Sequence, residues 1–295
     1  MMKSRISVLL RLVLGALFIV SAFSKLISPG LIEIILVDHG LAGSREAAAV
    51  FTRILIGIEF AVGLLFLQPF SLKKIVIPVS VLFLAMFTLY LGYTGFILND
   101  MQNCGCFGEL IKMSPVESII KNIAMIALLV ILFKWSDERK NYFITPFIAA
   151  LSVSAVFMIV PVKSQKDFKF AEFTNFTGAG RVDLSRGDKL IAVMNTECDH
   201  CELAAKELAG LKIKMKWFPE LYTLYFSEGS ITADSFKVIT KYDSPYTMIN
   251  TNQFLNLIGQ SPPRIYWLKD GVVKEIWDRD FVKNITLNFS PNPVR

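Results

Sequence analysis

The 295-residue chain is 53% apolar and 19% charged, too greasy for an ordinary soluble protein of its length. Its formal charge of +6 does not mark a nucleic-acid partner, because Lys3, Arg5, Lys73, Lys74, Lys134, Arg139 and Lys140 sit beside long apolar runs. Basic residues in that position act as membrane-orientation signals.

A helix needs about 20 mostly apolar residues to cross the hydrocarbon core. Five windows reach or approach that length: 7–27, 49–67, 75–97, 115–133 and 142–162. The first also has the charge pattern of a cleavable signal peptide, with Ser21 and Ala22 as small residues. Its continuation to Ile27 and the spans that follow favour a membrane helix. Beyond Val162 both charge signs are interspersed as on a soluble surface. The expected organisation is a four-helix membrane region (1–134), a fifth spanning helix with its linker (135–162) and a soluble domain (163–295).

Lysine and arginine concentrate at the N-terminus, in the Lys73/Lys74 loop and in the Lys134–Lys140 loop. Placing these three in the cytoplasm is consistent with five spans, and it puts the soluble domain outside. The loop holding Cys104 and Cys106 then faces the same oxidising side, where disulfides persist. Ser114-Pro115-Val116-Glu117 combines a capping box with proline at the first helical position, so the fourth helix starts there. Tyr90 and Tyr93, towards the outer end of the third span, fit an aromatic interface belt better than the lining of a quinone pocket. Glu59 lies well inside the second span, where an ionisable group is costly unless paired or working. Lys25, in the last turn of the first span, is its expected partner. Glu59 reads equally as half of that ion pair or as a proton acceptor for thiol or quinone chemistry. Arg11 and Lys25 are also explained by snorkelling, and His39 reads as a polar loop residue.

In the soluble part, 189–195 reads as a buried strand, 198–211 as a helix, 220–226 as a second strand and 232–241 as a second helix. A hairpin follows, 264–268 with 271–277, turning at Lys269-Asp270-Gly271. Strands alternating with helices before a hairpin imply an α/β domain of thioredoxin type. Cys198-Asp199-His200-Cys201 follows the first strand and opens the helix, the context that turns a bare C-x-x-C into a redox motif. A helix N-terminus and the neighbouring His200 stabilise a thiolate, so Cys198 is the expected nucleophile and Cys201 the resolving thiol. Glu197 and Asp199 are expected to oppose that thiolate. The two cysteine pairs could instead supply four thiolates to zinc, or form inert disulfides; the oxidising side and the strand-to-helix context favour exchange.

From Phe168 to Phe281 the chain resembles the thioredoxin-like, membrane-tethered periplasmic oxidoreductases of TlpA/ResA type, on the C-x-x-C helix and on Pro262-Pro263-Arg-Ile-Tyr-Trp-Leu-Lys-Asp-Gly271. The resemblance implies that Pro263 is a cis-proline facing the redox pair. Pro262 departs from the pattern, because it has no N–H to offer a substrate backbone. Over roughly 11–133 the chain resembles the DoxX-like and MauE (methylamine utilisation) family, on Arg11 to Pro29, Glu59, Asn103-Cys-Gly-Cys-Phe-Gly108 and Asn122. That resemblance implies a four-helix membrane core supporting maturation of disulfide-rich exported proteins, with a more distant similarity to quinone-linked thiol oxidases related to vitamin K epoxide reductase.

A Cys-Gly-Cys disulfide closes a very small, strained and readily reduced ring. The expected function is therefore a thiol–disulfide oxidoreductase of the bacterial inner membrane. It would pass electrons from exported cysteine-containing proteins to Cys198/Cys201, then to Cys104/Cys106 and on to a membrane quinone. No tightly bound cofactor, metal or nucleic acid is expected; lipid surrounds the spans. No cysteine falls within a span to collect electrons from the cytoplasm, which disfavours the reverse flow. The alternative is a tethered maturation factor whose membrane half is only an anchor.

Overall fold

Proline and serine punctuate the apolar helices of the N-terminal region. In a computed structural model, which describes residues 2–97, 113–136, 139, 141, 143–162 and 164–290, the chain divides into two compact units, Met1–Val162 and Lys163–Arg295. In the first, α1 (Met2–Ile27) stops at Ser28, and Pro29 opens a short helix, α2 (Pro29–Asp38). α3 (Arg45–Leu67) is capped by Ser44, whose hydroxyl accepts the Ala47 N–H at 3.2 Å. α4 (Ile77–Gly92) is flanked by π-helical turns at Leu72–Val76 and Tyr93–Ile97. α5 (Pro115–Trp135) carries the expected capping box, Glu117 N–H to Ser114 Oγ at 3.3 Å and Ser114 N–H to Glu117 Oε2 at 2.8 Å. Helices α1, α3 and α5, and the 72–97 segment, are long and apolar enough to cross a membrane. The fifth apolar window forms α6 (Ile144–Ile159), whose 16 residues fall short of the 142–162 expectation. Asn141 Oδ1 accepts the Phe143 and Ile144 N–H groups at its start, and Pro161 follows its end.

α3 is the most buried of these helices, and glycines explain how its neighbours reach it. A Cβ on Gly63 would lie 2.6 Å from Ile19 Cγ1, and one on Gly15 would lie 2.9 Å from the Gly63 carbonyl. On another side of α3, a Cβ on Gly57 would lie 2.6 Å from Val153 Cα of α6. Lipid is as apolar as leucine, so association between spans depends on close packing, and small residues permit it. Phe18 of α1 stacks on Phe66 of α3 with centroids 5.9 Å apart, within a core that includes Leu14, Leu72, Leu129 and Leu132.

In the second unit, a short hairpin of β1 (Asn175–Phe176) and β2 (Gly180–Arg181) precedes a five-stranded sheet. The sheet comprises β3 (Asp188–Asn195), β4 (Glu220–Phe226), β5 (Tyr246–Met248), β6 (Arg264–Lys269) and β7 (Val272–Trp277), in the order β5-β4-β3-β6-β7. β3, β4 and β5 are parallel, while β6 and β7 run antiparallel to their neighbours. The helices are α7 (Asp199–Lys214), α8 (Ala233–Thr240), α9 (Thr251–Leu257) and α10 (Phe281–Phe289). Leu190, Ala192 and Met194 of β3 pack with residues of α7, α8 and α10 in one cluster. Aromatic contacts bind the sheet elsewhere: Phe226 stacks on Phe254 of α9 at 4.3 Å and Tyr266 meets Phe170 edge-on at 4.9 Å. With both faces covered, β3 and β4 are nearly continuous apolar runs. The β6–β7 turn places Asp270 and Gly271 at φ of +49° and +77°, which glycine accepts without strain.

The α3–α6 approach is testable. Gly57→Ala should lower the detergent-solubilised protein's stability by about 1–3 kcal/mol through overpacking against Val153 backbone. Gly92→Ala, with open space around it, should be neutral or gain up to about 1 kcal/mol. Thermal unfolding of both variants checks this; equal melting temperatures would refute the close crossing.

Candidate functional site

β3, the central strand, is buried from Leu190 to Met194 and delivers Asn195 to its C-terminal end, where the chain turns into α7. Cys198 occupies the N-cap of α7, where its sulfur accepts the Cys201 N–H at 3.4 Å. The same sulfur lies 3.8 Å from the Pro262 carbonyl, within reach of an S–H donor. The Pro262–Pro263 peptide is cis and leads into β6, as the family resemblance implied. Cys201, one turn on, is fully buried, and its sulfur accepts the Asn195 N–H at 3.4 Å. Both cysteines are free thiols.

These surroundings separate the two thiols. Cys198, half-buried, has its pKa drawn down to about 6. The hydrogen bond from the Cys201 thiol contributes most, and the backbone N–H groups of Cys201 and His200 and the charge of His200 add to it, against burial. Cys201 is pushed far up, chiefly by burial and then by its bond to Cys198. At neutral pH one sulfur is therefore an accessible thiolate and the other a protonated interior thiol. The opposition expected from Glu197 and Asp199 is not among the influences that set Cys198. Glu197 instead accepts the Ile231 N–H at 3.4 Å, and its carboxylate fills the space beside Gly229. His200 is exposed in the first turn of α7.

In the first unit, Lys25 and Glu59 meet as the sequence suggests. Lys25 Nζ lies 3.0 and 2.9 Å from the two Glu59 oxygens and 2.7 Å from Ser21 Oγ, all buried. A second charged cluster was not anticipated. Glu33 of α2 pairs with Arg45 at 3.1 Å and with Arg53, and Arg53 also donates to the Ala49 and Val160 carbonyls. The signal was present as a single acid inside the apolar run Leu31-Ile-Glu-Ile-Ile-Leu36, a segment that reads as loop without its tertiary partner. His39, expected to be an ordinary loop residue, closes α2 and holds the Tyr90 hydroxyl at 2.5 Å through Nδ1. Asn122 donates to Thr88 Oγ1 at 3.2 Å. Cys104 and Cys106 lie outside the described residues.

Comparison with known proteins follows the same division. Residues 3–134 match the family model described as methylamine utilisation protein MauE. Protein TlpB of Flavobacterium psychrophilum is 29% identical over 323 aligned positions, which take in 89% of this chain and 88% of that protein. The stretch that matches the MauE model holds the four membrane-capable helices, and it precedes an α/β domain whose mixed five-stranded sheet and C-x-x-C helix are consistent with a thioredoxin-like fold.

Proposed function

We propose that this chain is a membrane thiol–disulfide oxidoreductase that supports disulfide formation or maturation of exported proteins. The observation that carries the reading is the unequal pair at the start of α7: Cys198 half-buried with a pKa near 6, Cys201 buried and protonated. In its disulfide form the pair accepts attack by a substrate thiolate on Cys198, the more accessible of the two sulfurs. The Cys198–Cys201 bond breaks and Cys201 leaves with the electron pair. A second substrate thiol then displaces Cys198, so that the substrate gains a disulfide and the pair holds two electrons and two protons.

Cys104 and Cys106 are the proposed second couple, reoxidising Cys198/Cys201 by the same exchange. Both pairs are assigned to the extracytoplasmic face of a bacterial inner membrane by the distribution of basic loops. A membrane quinone is the proposed final acceptor, supplying two-electron oxidation of a dithiol. Among the described residues, the hydrogen-bonded His39 and Tyr90 are suited to hold a quinone carbonyl, because imidazole and phenol both exchange protons. Lys25, bound to both Glu59 oxygens, leaves that carboxylate less free to act as a base, so the structural role of the pair is the one we adopt.

The thiol asymmetry gives a direct pH test. Iodoacetamide modification of the reduced protein should rise with a midpoint near pH 6 and reach its plateau by about pH 8 at Cys198, while Cys201 stays unmodified. Modification of both sulfurs with a midpoint near pH 9 would remove the basis for the assignment. In cells, Cys201→Ser should trap exported proteins on Cys198, detectable as adducts that reductant releases. Cys104→Ser with Cys106→Ser should leave Cys198/Cys201 reduced. Continued cycling of that double variant would instead identify the membrane half as an anchor.

A further inference from the structure

The interior beneath Cys201 holds a titratable group that the exchange just described does not use. Tyr225 of β4 is fully buried; burial pushes its pKa up and the nearby Thr223 hydroxyl, a weak donor, draws it back, but among the described residues the Tyr225 hydroxyl makes no well-formed hydrogen bond of its own. Its neighbours in the core are satisfied: Thr223 Oγ1 lies 3.1 Å from the Tyr242 hydroxyl and 2.5 Å from Ser244 Oγ. Tyr225 lies opposite Met194 in the β3–β4 register, and Met194 precedes Asn195, whose N–H reaches the Cys201 sulfur. Tyr225, Met194 and Cys201 belong to one packed cluster. The ring is pinned edge-on by Phe236 and Tyr246, with centroids 5.4 and 5.5 Å away. A hydroxyl so poorly bonded is costly at such a place, and phenylalanine would fill the same volume without that cost.

We propose that the Tyr225 hydroxyl is a positioning residue for the exchange, held in reserve to donate a hydrogen bond to Cys201 when that sulfur becomes a thiolate. The inference rests on reading Cys198/Cys201 as a thiol–disulfide couple. When a thiolate attacks Cys198 in the disulfide, Cys201 departs with the electron pair; in the reverse direction the Cys201 thiolate attacks Cys198 of a mixed disulfide and the substrate sulfur departs. Either way the charge forms in the apolar interior, where burial opposes it. The Asn195 N–H already bonded to that sulfur and the Tyr225 hydroxyl of the same packed cluster then stabilise the charge together. Tyrosine keeps its own proton, since burial, Tyr242 and Cys201 all push its pKa up, and the Cys201 proton exchanges with solvent. Cys198 is the other titratable group beside Cys201. On the elements packed against α7, Asp234 of α8 is bound by the Tyr246 hydroxyl, Lys237 pairs with Asp243, and Lys283 of α10 is exposed.

The test uses the reduced, full-length protein and glutathione disulfide. Cys198 attacks the disulfide, glutathione stays on Cys198, and Cys201 then releases it. Acid quenching and mass spectrometry follow the adduct on the Cys198 peptide. Tyr225→Phe should lengthen the adduct's lifetime about three- to ten-fold near pH 7, because each unit of lost thiolate stabilisation is partly offset by greater nucleophilicity. The pH profile of the release step should move upward, while Cys198 modification keeps its midpoint. Tyr242→Phe, which removes a core hydroxyl already bonded to Thr223, should leave the lifetime unchanged. A Tyr225→Phe protein that resolves at the parental rate with an unshifted profile overturns the proposal, as does equal slowing by Tyr242→Phe. If no adduct forms on Cys198 in the parent protein, the exchange reading itself fails, and this inference with it.

Discussion

A sulfur serves as the N-cap of α7, and the behaviour of the thioredoxin-like unit depends on that arrangement. Helix N-termini leave several N–H groups without intrahelical partners, and hydroxyl or carboxylate oxygens usually accept them. Here the acceptor is Cys198 Sγ. A thiol accepts weakly and a thiolate strongly, so ionisation of Cys198 improves the cap as it creates the nucleophile. The helix end and the reactive sulfur thus stabilise each other, and α7 must be held firmly against β3 for the effect to persist. Leu208, Ala204 and Ala205 bury one face of α7 in the core and provide that hold.

The same helix explains why its two thiols are unequal. Three residues' separation takes the chain almost one full turn, from the capping edge to the buried face. Cys198 keeps access to solvent and to the Pro262 carbonyl, whereas Cys201 meets the Asn195 N–H in an apolar interior. Pro262 presents a carbonyl and no N–H beside Cys198, so the backbone there can accept a hydrogen bond but not donate one.

Burial of charge without water shapes the membrane unit. Lys25 with Glu59, and Glu33 with Arg45 and Arg53, are buried ionic groups whose partners lie on other helices. Isolated, each charge would cost several kcal/mol, about 3–5 once its partner is lost. Together they tie α1 to α3 and α2 to α3. The glycine crossings at Gly15, Gly57 and Gly63 supply shape where the ion pairs supply register.

Much of this was legible locally. The long apolar runs, the Ser114–Glu117 box, the strands ending at Asn195 and Phe226 and the Asp270-Gly271 turn follow from hydrophobic length, capping chemistry and backbone preference, all read within a few residues. The C-x-x-C context at Cys198 was legible for the same reason. β5, α2 and α10 were not, because each is short and is held by long-range partners: β5 by its parallel pairing to β4, α2 by the bonds of Glu33 to Arg45 and Arg53, and α10 by packing on α7. Read along the chain, residue type and spacing mark the C-x-x-C at a strand-to-helix junction and the segments apolar enough to leave water. The tertiary structure alone decided that His39 reaches Tyr90, that Glu197 turns to Ile231 and that Tyr225 keeps a hydroxyl without a well-formed hydrogen bond in the core around Cys201. Those facts depend on distances between residues far apart in the chain, which local preferences do not encode.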